Sequence, residues 1–505
     1  MKILLVTLPR EGEAIDYTTR DYLLTDFSKY PPLGLMAIAT KVDPRHQVKL
    51  YDANIKAFSV EETLQLVKQE APDLLGISVV TRRLWAMHQL ARRVREEIPG
   101  CRIIVGGPHI NYWPQETMQF SPVDYAISGY AEFSFPALVE VLDRGGRAED
   151  LRTVPDLHYR DGERILSTPP DRLETKSLDH VPFARRDLLD LDDYYTAVDM
   201  ARMTTTYSSR GCPFRCIYCD VQEKAYLYRS ARNMADEFEE ILRLGIREIH
   251  IFDDVFNIRK QRVLDFCQEI RRRGIRVRWS IRARVNPWDE ETLRAIYEAG
   301  CHRIHVGVES LDEATLTYMN KRQSLEEIRS FFATCNDIGV ETLAYFIIGF
   351  PTESQEYRKT LYDRVLELSP TYCFFNILFP LAKTQYYQGL LDDGTYERDY
   401  WAEYFRNPTP SFELPLPRSP ELQHELEDLA DSFHRRFCYR LGFLWNEFWR
   451  SVQYPRILWL KFKLVFVLAR ETLVWRRQRP SFIGTDAEIA SRRARHEEVE
   501  VRAVH

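Results

Sequence analysis

The stretch SSRGCPFRCIYCD (208–220) contains three cysteines, Cys212, Cys216 and Cys219, in the spacing C-x-x-x-C-x-x-C. The whole chain of 505 residues has only nine cysteines, so chance does not account for this clustering. Soft thiolates suit either an iron–sulfur cluster or zinc. A structural zinc site takes four ligands, and the next candidates along the chain are as distant as His250 and Cys267. The triplet therefore favours a four-iron cluster with one iron left open.

Downstream of this loop, apolar strands alternate with amphipathic helices. Strands are predicted for TTYSS (205–209), EIHIFDD (248–254), VRWSIRAR (277–284), RIHVGVES (303–310), ETLAYFIIGF (341–350) and YCFFNILFPL (372–381). Helices are predicted over 233–244, 260–273, 290–299, 312–320, 325–338 and 353–367. Such β/α units predict an α/β fold with a partial (β/α)6 TIM-like barrel, which we place at residues 201–400.

Upstream of the loop, residues 1–148 show the same alternation. Strands are predicted for MKILLVTL (1–8), QVKLYDA (47–53), LLGISVV (74–80), CRIIVGG (101–107) and DYAISG (124–129), with helices over 33–42, 60–69, 84–97 and 134–144. This order predicts a Rossmann-like, doubly wound parallel sheet. Ligands bind such sheets at the carboxyl ends of the strands, where Gly106-Gly107 and Gly129-Tyr130 stand.

The remaining segments are linkers and a helical C-terminus. Residues 149–200 are predicted to be a linker with a hairpin that turns at Asp161-Gly162. Residues 401–480 are predicted to be a helical region that is basic and aromatic. Past about residue 385, before this region, we expect irregular chain. Residues 481–505 are polar and charged, and we expect a disordered tail there.

Composition narrows the function classes. The formal charge of −6 argues against a general nucleic-acid binder. An odd number of scattered cysteines is typical of a reduced, cytoplasmic protein. The apolar run at the N-terminus is too short for a signal peptide, and no segment reaches the roughly 18 apolar residues of a transmembrane helix.

Beyond the triplet, residues 1–400 resemble the radical S-adenosylmethionine (SAM) superfamily, and in particular its cobalamin-binding branch. The resemblance implies that Cys212, Cys216 and Cys219 bind a [4Fe–4S] cluster whose open iron binds SAM. EIHIFDDVFN, HVGVESLDEATLTYMNK and AYFIIGFPTE resemble later strands of the family's barrel. The SAM-binding residues implied in this way are Phe214, Tyr218, Asp253, Asp254, Arg282, Glu309, Ser310, Ile347 and Gly349.

Several of these positions also have a purely structural interpretation. The paired carboxylates at 253–254 fit a strand-end turn or a helix cap. The pair at 309–310 fits the cap of a helix that begins at Leu311. Gly349 fits a turn, and the arginines at 282 and 284 fit structural ion pairs.

Four upstream segments resemble the cobalamin-binding domain, namely YPPLGLMAIAT (30–40), GISVVT (76–81), GGPH (106–109) and GYAEFSF (129–135). The cobalamin-binding residues implied are Leu33, Gly34, Ser78, Thr81, Gly106, Gly107, Gly129, Tyr130 and Glu132. The chain departs from the family's histidine motif, because no histidine precedes His46. Either cobalamin binds with no protein ligand below its cobalt, or the domain has lost the cofactor and serves substrate or subunit contacts.

The segment from Phe433 to Pro480 combines eleven Lys/Arg with two Glu and many aromatic residues. One interpretation is a helix lying on an anionic membrane, with peripheral contact through residues 440–480 at the inner face. The other is a helical cap packed on the barrel. The membrane interpretation favours a lipid or other apolar substrate.

The resemblance implies an enzyme in which a 5′-deoxyadenosyl radical activates an unreactive carbon of a small-molecule or lipid substrate. With cobalamin, it implies C-methylation. It also implies an external electron donor such as flavodoxin or ferredoxin. Two alternatives remain open: an oxidative cyclase or rearrangement enzyme of the same architecture, and a non-catalytic metal-binding or membrane-scaffold protein.

Overall fold

The computed structural model describes residues 1–14, 28–55, 58–170, 177–196, 198–199, 202–221, 223–410, 412–452, 458–459 and 461–462. The chain divides into two compact units, Met1–Pro417 and Arg418–His505. The tail expected at 481–505 lies outside the described residues.

Strands and helices of the first unit alternate along the chain. The strands are β1 (Lys2–Thr7), β2 (Ser28–Lys29), β3 (Gln47–Tyr51), β4 (Leu74–Ser78), β5 (Arg102–Gly106), β6 (Tyr125–Ile127), β7 (Leu157–Asp161), β8 (Arg164–Ser167), β9 (Tyr195–Thr196), β10 (Met203–Thr206), β11 (Ser209–Arg210), β12 (Leu227–Tyr228), β13 (Glu248–Ile251), β14 (Arg278–Arg284), β15 (Cys301–Glu309), β16 (Glu341–Ile348) and β17 (Tyr372–Ile377). The helices are α1 (Leu33–Ile38), α2 (Val60–Glu70), α3 (Leu84–Glu97), α4 (Pro114–Phe120), α5 (Ser134–Asp143), α6 (Ala148–Leu151), α7 (Ala231–Arg243), α8 (Lys260–Arg272), α9 (Glu290–Glu298), α10 (Glu313–Tyr318), α11 (Leu325–Ile338), α12 (Gln355–Leu368), α13 (Gln385–Asp392) and α14 (Tyr400–Arg406).

The first sheet has the order β3-β1-β4-β5-β6-β7-β8. Its pairs from β3 to β6 are parallel, which confirms the Rossmann-like prediction. The β7–β8 hairpin, which we expected in a linker, instead extends this sheet by pairing antiparallel to β6. The reason is burial, because Leu157 and Tyr159 alternate along β7 and both enter the core.

The second sheet has the order β10-β13-β14-β15-β16-β17, and all its pairs are parallel. Within the described residues β17 does not pair with β10, so the barrel is open. This confirms the partial (β/α)6 barrel. The carboxyl ends of its strands lead into the cysteine loop and the other loops of the site.

Caps explain why several helix bounds were predictable. Ser59 and Glu62 form a capping box at the start of α2, and Ser324 and Glu327 form another at α11. Gly339 ends α11 in the left-handed region with φ +91°. No such signal ends α1, which stops at Ile38 rather than at the predicted residue 42.

The chain past residue 385 is not irregular as expected. It forms α13 and α14, and α14 returns to the N-terminal domain to pack against α4. The ring centroids of Trp113 and Phe405 lie 4.2 Å apart at this contact.

The second unit contributes α15 (Pro420–Cys438) and α16 (Leu441–Ser451) to the described residues. Ser419 caps α15, and Pro420 occupies its first turn. Among the described residues no helix combines the length and apolarity that crossing a bilayer requires.

Candidate functional site

The cysteine loop follows β11, which pairs antiparallel with β12. Gly211 turns the chain into the loop with φ +83°, and a Cβ there would lie 2.0 Å from the carbonyl oxygen of Ala225. Only glycine fits this turn. The Cys212 amide donates to the carbonyl of Glu223 at 2.9 Å, which closes the base of the loop.

The three thiols of the loop are half-buried and form no disulfide. Burial raises the pKa of Cys219 to about 12 and shifts the pKa of Cys212 in the same direction. Thiolates at these positions therefore need a bound cation to stabilise their charge. The donor set fits an iron–sulfur cluster, since three soft ligands share one loop.

Arg284 lies beside the loop. Its guanidinium carbon lies 3.8 Å from the centre of the Phe214 ring, and its Nη1 lies 3.8 Å from Sγ of Cys216. Arg282, which the resemblance selected, is exposed and lies over the Phe252 ring at 3.9 Å. The two arginines therefore occupy different places, and the one that contacts the loop is the one that the sequence analysis left out of the SAM-binding set.

Asp253 and Asp254 also lie in different environments. Asp253 is buried and accepts hydrogen bonds from the amides and hydroxyls of Ser208 and Ser209, at 2.5–2.9 Å. It fixes the chain that enters the loop and has no free face for a ligand. Asp254 is exposed, and its Oδ2 accepts from the Gly211 amide at 2.8 Å.

A buried ion pair stands next to Tyr218. Nζ of Lys321 lies 2.6 Å from Oε1 of Glu309 and 3.3 Å from the Tyr218 hydroxyl. Glu309 ends β15 with φ +67°, and a Cβ on Gly307 would lie 2.3 Å from its Oε1. Tyr218 and Glu309 were predicted from the sequence, whereas Lys321 was not, although it ends the segment HVGVESLDEATLTYMNK that resembles the family.

The Ser310 side chain binds the protein itself. Its hydroxyl is fully buried, lies 2.9 Å from the Tyr357 hydroxyl and accepts from the Asp312 amide at 3.2 Å. Asp312, not Ser310, is the N-cap of α10. The Ser310 hydroxyl therefore links the loop after β15 to Tyr357 on α12.

The end of β16 carries Ile347 and Gly349. Ile347 is half-buried, and Gly349 adopts φ +96°. The Gly349 amide donates to Oε2 of Glu353 at 2.8 Å, so a carboxylate that the sequence analysis missed holds this turn.

A cavity of about 470 Å³ opens at the carboxyl ends of the first sheet. This volume is within the roughly 300–1,000 Å³ that is typical of cofactor-sized ligands. The cobalamin-binding residues predicted from the resemblance that line it are Leu33, Gly34, Ser78, Gly106, Gly107, Gly129, Tyr130 and Glu132. None of the described residues that line it is a histidine. The volume and the largely apolar lining fit a corrinoid.

Thr81 is the one cobalamin-binding prediction that the structure does not bring into the lining. Its hydroxyl lies 3.2 Å from Nδ1 of His109. His109 is buried against Trp113 and Phe405, and burial lowers its pKa to about 3. Gly107, two residues before His109 in the chain, adopts φ +96°. A Cβ at this position would lie 3.0 Å from Oγ of Ser78.

The opposite wall of the cavity comes from the barrel. Ser209, Arg210 and Asp254 line it together with the glycines of the first sheet. The Arg210 guanidinium forms a buried ion pair with Glu132 and lies over the Tyr130 ring at 4.0 Å. Arg210 stands two residues before Cys212, so the strand that enters the cysteine loop is also a wall of the cavity. This contact could not be predicted from a local pattern, because Arg210 and Glu132 are 78 residues apart.

Comparison with known proteins gives the same division of the chain. The sequence matches the Radical SAM superfamily over residues 206–365 and the B12 binding domain over residues 19–139. It is 28% identical over 415 residues to an uncharacterised methyltransferase of Pyrococcus horikoshii, which covers 80% of this chain and 86% of the relative. It is 23% identical over 440 residues to an anaerobic magnesium-protoporphyrin IX monomethyl ester cyclase of Rubrivivax gelatinosus, which covers 85% of this chain and 77% of the relative.

A solved structure shares the fold. The radical S-adenosylmethionine methyltransferase TsrM from Kitasatospora setae, with cobalamin and a [4Fe–4S] cluster bound, superposes with a TM-score of 0.59 at 18% identity. The match covers 78% of each chain. Both domains of the first unit are thus arranged on a known architecture.

Proposed function

We propose that the chain is a radical SAM enzyme with an N-terminal B12-binding domain and that it acts as a cobalamin-dependent C-methyltransferase. One observation carries this proposal: Ser209 and Arg210 line the cavity of the first sheet and lead directly into the loop of Cys212. A cofactor in the cavity and a cluster on the loop therefore share a wall. Methyl transfer to a carbon radical needs this proximity.

A [4Fe–4S] cluster bound here would, on receiving one electron from a donor, supply cleavage of SAM to methionine and a 5′-deoxyadenosyl radical, and a methylated corrinoid in the cavity would supply the methyl group. The chain's own residues hold and orient these groups. Cys212, Cys216 and Cys219 hold the cluster, and Arg284 places a positive charge beside Cys216. The Glu309–Lys321 ion pair offers SAM one acceptor and one cation next to the Tyr218 ring.

We assign the remaining predicted contacts according to where their side chains lie. Phe214, Asp254, Arg282, Ile347 and Gly349 are proposed to contact SAM or the substrate beside it. Asp253 and Ser310 are instead proposed as positioning residues, because their polar atoms already bind the protein. For cobalamin, we retain the eight predicted residues that line the cavity and assign Thr81 to the support of His109.

The reaction requires a strong one-electron donor, for which flavodoxin or ferredoxin is the proposed class. The proposed substrate is a small molecule or a lipid. A reducing compartment such as the cytoplasm suits a three-thiol cluster loop, and we propose that location, at the inner face of the membrane.

The second candidate is an oxidative cyclase of the same architecture. It is favoured by the relative from Rubrivivax gelatinosus, whose name describes a cyclase. The two functions differ in their use of SAM, since a methyltransferase converts a second molecule of SAM to S-adenosylhomocysteine and a cyclase does not.

The test is anaerobic reconstitution with iron and sulfide in the presence of hydroxocobalamin, followed by addition of SAM and a reductant. We expect cluster absorbance, 5′-deoxyadenosine, and S-adenosylhomocysteine formed as the reduced corrinoid is methylated. Cys216→Ser should abolish 5′-deoxyadenosine, whereas Cys438→Ser, the same change on α15 outside the loop, should not.

The outcomes separate the candidates. Bound corrinoid with 5′-deoxyadenosine but without S-adenosylhomocysteine would favour the cyclase. A chain that binds neither cluster nor corrinoid would overturn both enzymatic functions and leave the scaffold alternative.

A further inference from the structure

The helix α16 exposes an apolar face. Leu441, Trp445, Phe448, Trp449 and Val452 recur at the spacing i, i+4, i+7, i+8 and i+11, so they lie on one side of the helix. Their exposed fractions are 85%, 62%, 37%, 54% and 40%. The aromatic side chains of this face are therefore exposed rather than buried.

The buried residues of α16 are polar. Glu447 and Ser451 are the buried residues of the helix. Oε2 of Glu447 lies 2.6 Å from Nζ of Lys461, and Oε1 lies 3.3 Å from Nη1 of Arg450. A helix that buries its carboxylate and exposes its tryptophans has the polarity of a segment whose apolar face meets a non-aqueous phase.

The exposed apolar residues are concentrated in this segment. Trp459 and Phe462, farther along the chain, are 63% and 59% exposed. The other large hydrophobic side chains that are exposed in the described residues stand singly and far apart, namely Tyr130, Leu244, Tyr297 and Tyr318. Single exposed residues are ordinary on a protein surface, whereas a continuous face is not.

The charge of the segment selects the kind of surface. Between Phe433 and Pro480 there are eleven Lys/Arg and two Glu, a local charge of +9 in a chain whose formal charge is −6. The rest of the chain is therefore strongly anionic. An anionic surface attracts this segment and repels the remainder, which orients the protein on it.

We propose that the exposed face of α16 inserts into the interfacial region of an anionic phospholipid bilayer. Trp suits this region because its indole combines an apolar ring with a polar N–H, and Phe and Leu suit its apolar side. The neighbouring Lys and Arg contact the lipid phosphates. The proposal is independent of the reaction, because α16 belongs to the second unit and none of the site residues lies on it.

The experiment is co-sedimentation of the full-length chain with vesicles of phosphatidylcholine alone or of phosphatidylcholine mixed with phosphatidylglycerol. We expect binding to the mixed vesicles that weakens with salt, and about tenfold or more weaker binding for the double variant Trp445→Ser with Trp449→Ser. Tyr297→Ser, which also removes an exposed aromatic ring but on α9, is the matched control and should bind as the wild type does. Circular dichroism of all three proteins checks that they are folded.

Three results would overturn the proposal. One is equal binding of the double variant and the wild type. Another is binding that ignores phosphatidylglycerol. The third is a wild type that binds no vesicles but dimerises in analytical ultracentrifugation while the double variant stays monomeric, which would make the face a contact between two copies of the chain.

Discussion

Replacing Glu132 with Gln should destabilise the first unit through Arg210. The side chains of the pair are 6% and 9% exposed, and Glu132 is the only carboxylate that the described residues place against this guanidinium. Burial lowers the pKa of Arg210, but the Glu132 carboxylate more than offsets this and keeps it above its ordinary value. Glutamine has the same shape, so the variant leaves a buried cation without its counter-charge.

The magnitude follows from burial. Removing one partner of a buried pair costs about 3–5 kcal/mol. The Tyr130 and Tyr207 rings, 4.0 and 4.2 Å from the guanidinium carbon, still stabilise the cation, so we take the lower bound of about 3 kcal/mol. With roughly 2.1 cal/mol/K per residue over the first unit, this corresponds to a fall of about 3–4 °C in melting temperature.

The assay is thermal unfolding of the cofactor-free chain. Glu149→Gln, an exposed carboxylate on α6, is the control and should melt with the wild type. Glu132→Leu combined with Arg210→Met removes both charges, and we expect it to recover most of the loss because no lone charge remains. A Glu132→Gln variant that melts at the wild-type temperature would refute the reasoning, because the ion pair would then contribute nothing.

Three further predictions concern the cavity and the cysteine loop. Gly107→Ala should weaken corrinoid binding and lower stability, because φ is +96° and the new Cβ would lie 3.0 Å from neighbouring atoms. Gly100→Ala, whose Cβ would meet nothing within 4 Å, is the control and should behave as the wild type. Corrinoid content and melting temperature measure both effects. In the wild type, acidification from the ordinary pKa of histidine to about pH 3 should lower the free energy of unfolding, because the unfolded His109 imidazole takes up a proton that the folded one does not. His109→Gln should reduce this slope by about 1.4 kcal/mol per pH unit. An unchanged slope in urea unfolding at several pH values would contradict the prediction. Arg284→Met should lower the reduction potential of the reconstituted cluster, because the positive charge near Cys216 favours the reduced form. Equal potentials of the variant and the wild type in a redox titration would rule out this role of Arg284.

Patterns that lie within one element were predictable from the sequence. The bounds of α3 and α11 agree with expectation, and the capping box at Ser324 shows why, since a cap is a local signal. The cysteine loop and the glycines of the cavity are likewise local. Their residue types are required by a turn or by soft metal ligands, wherever the rest of the chain goes.

Contacts between distant segments were not predictable in this way. Arg210 gives no sign of its partner Glu132, and the hairpin at Asp161-Gly162 gives no sign that it extends the first sheet. Arg282 and Arg284 share one strand and one face, so alternation could not tell which of them reaches the cysteine loop. In each case the outcome depends on packing between elements, which no short pattern records.

The wall that Arg210 and Ser209 contribute bears on how this protein can be dissected or recombined. A fragment that begins at the barrel would carry the Arg210 guanidinium without its counter-ion Glu132 and without the Tyr130 ring, so that only the Tyr207 ring would still contact it. A fragment that ends with the first sheet would lack one side of its own cavity. The two domains are therefore not interchangeable modules: a foreign barrel grafted onto this sheet must bring an arginine to the position before its glycine and first cysteine, or inherit an unpaired glutamate.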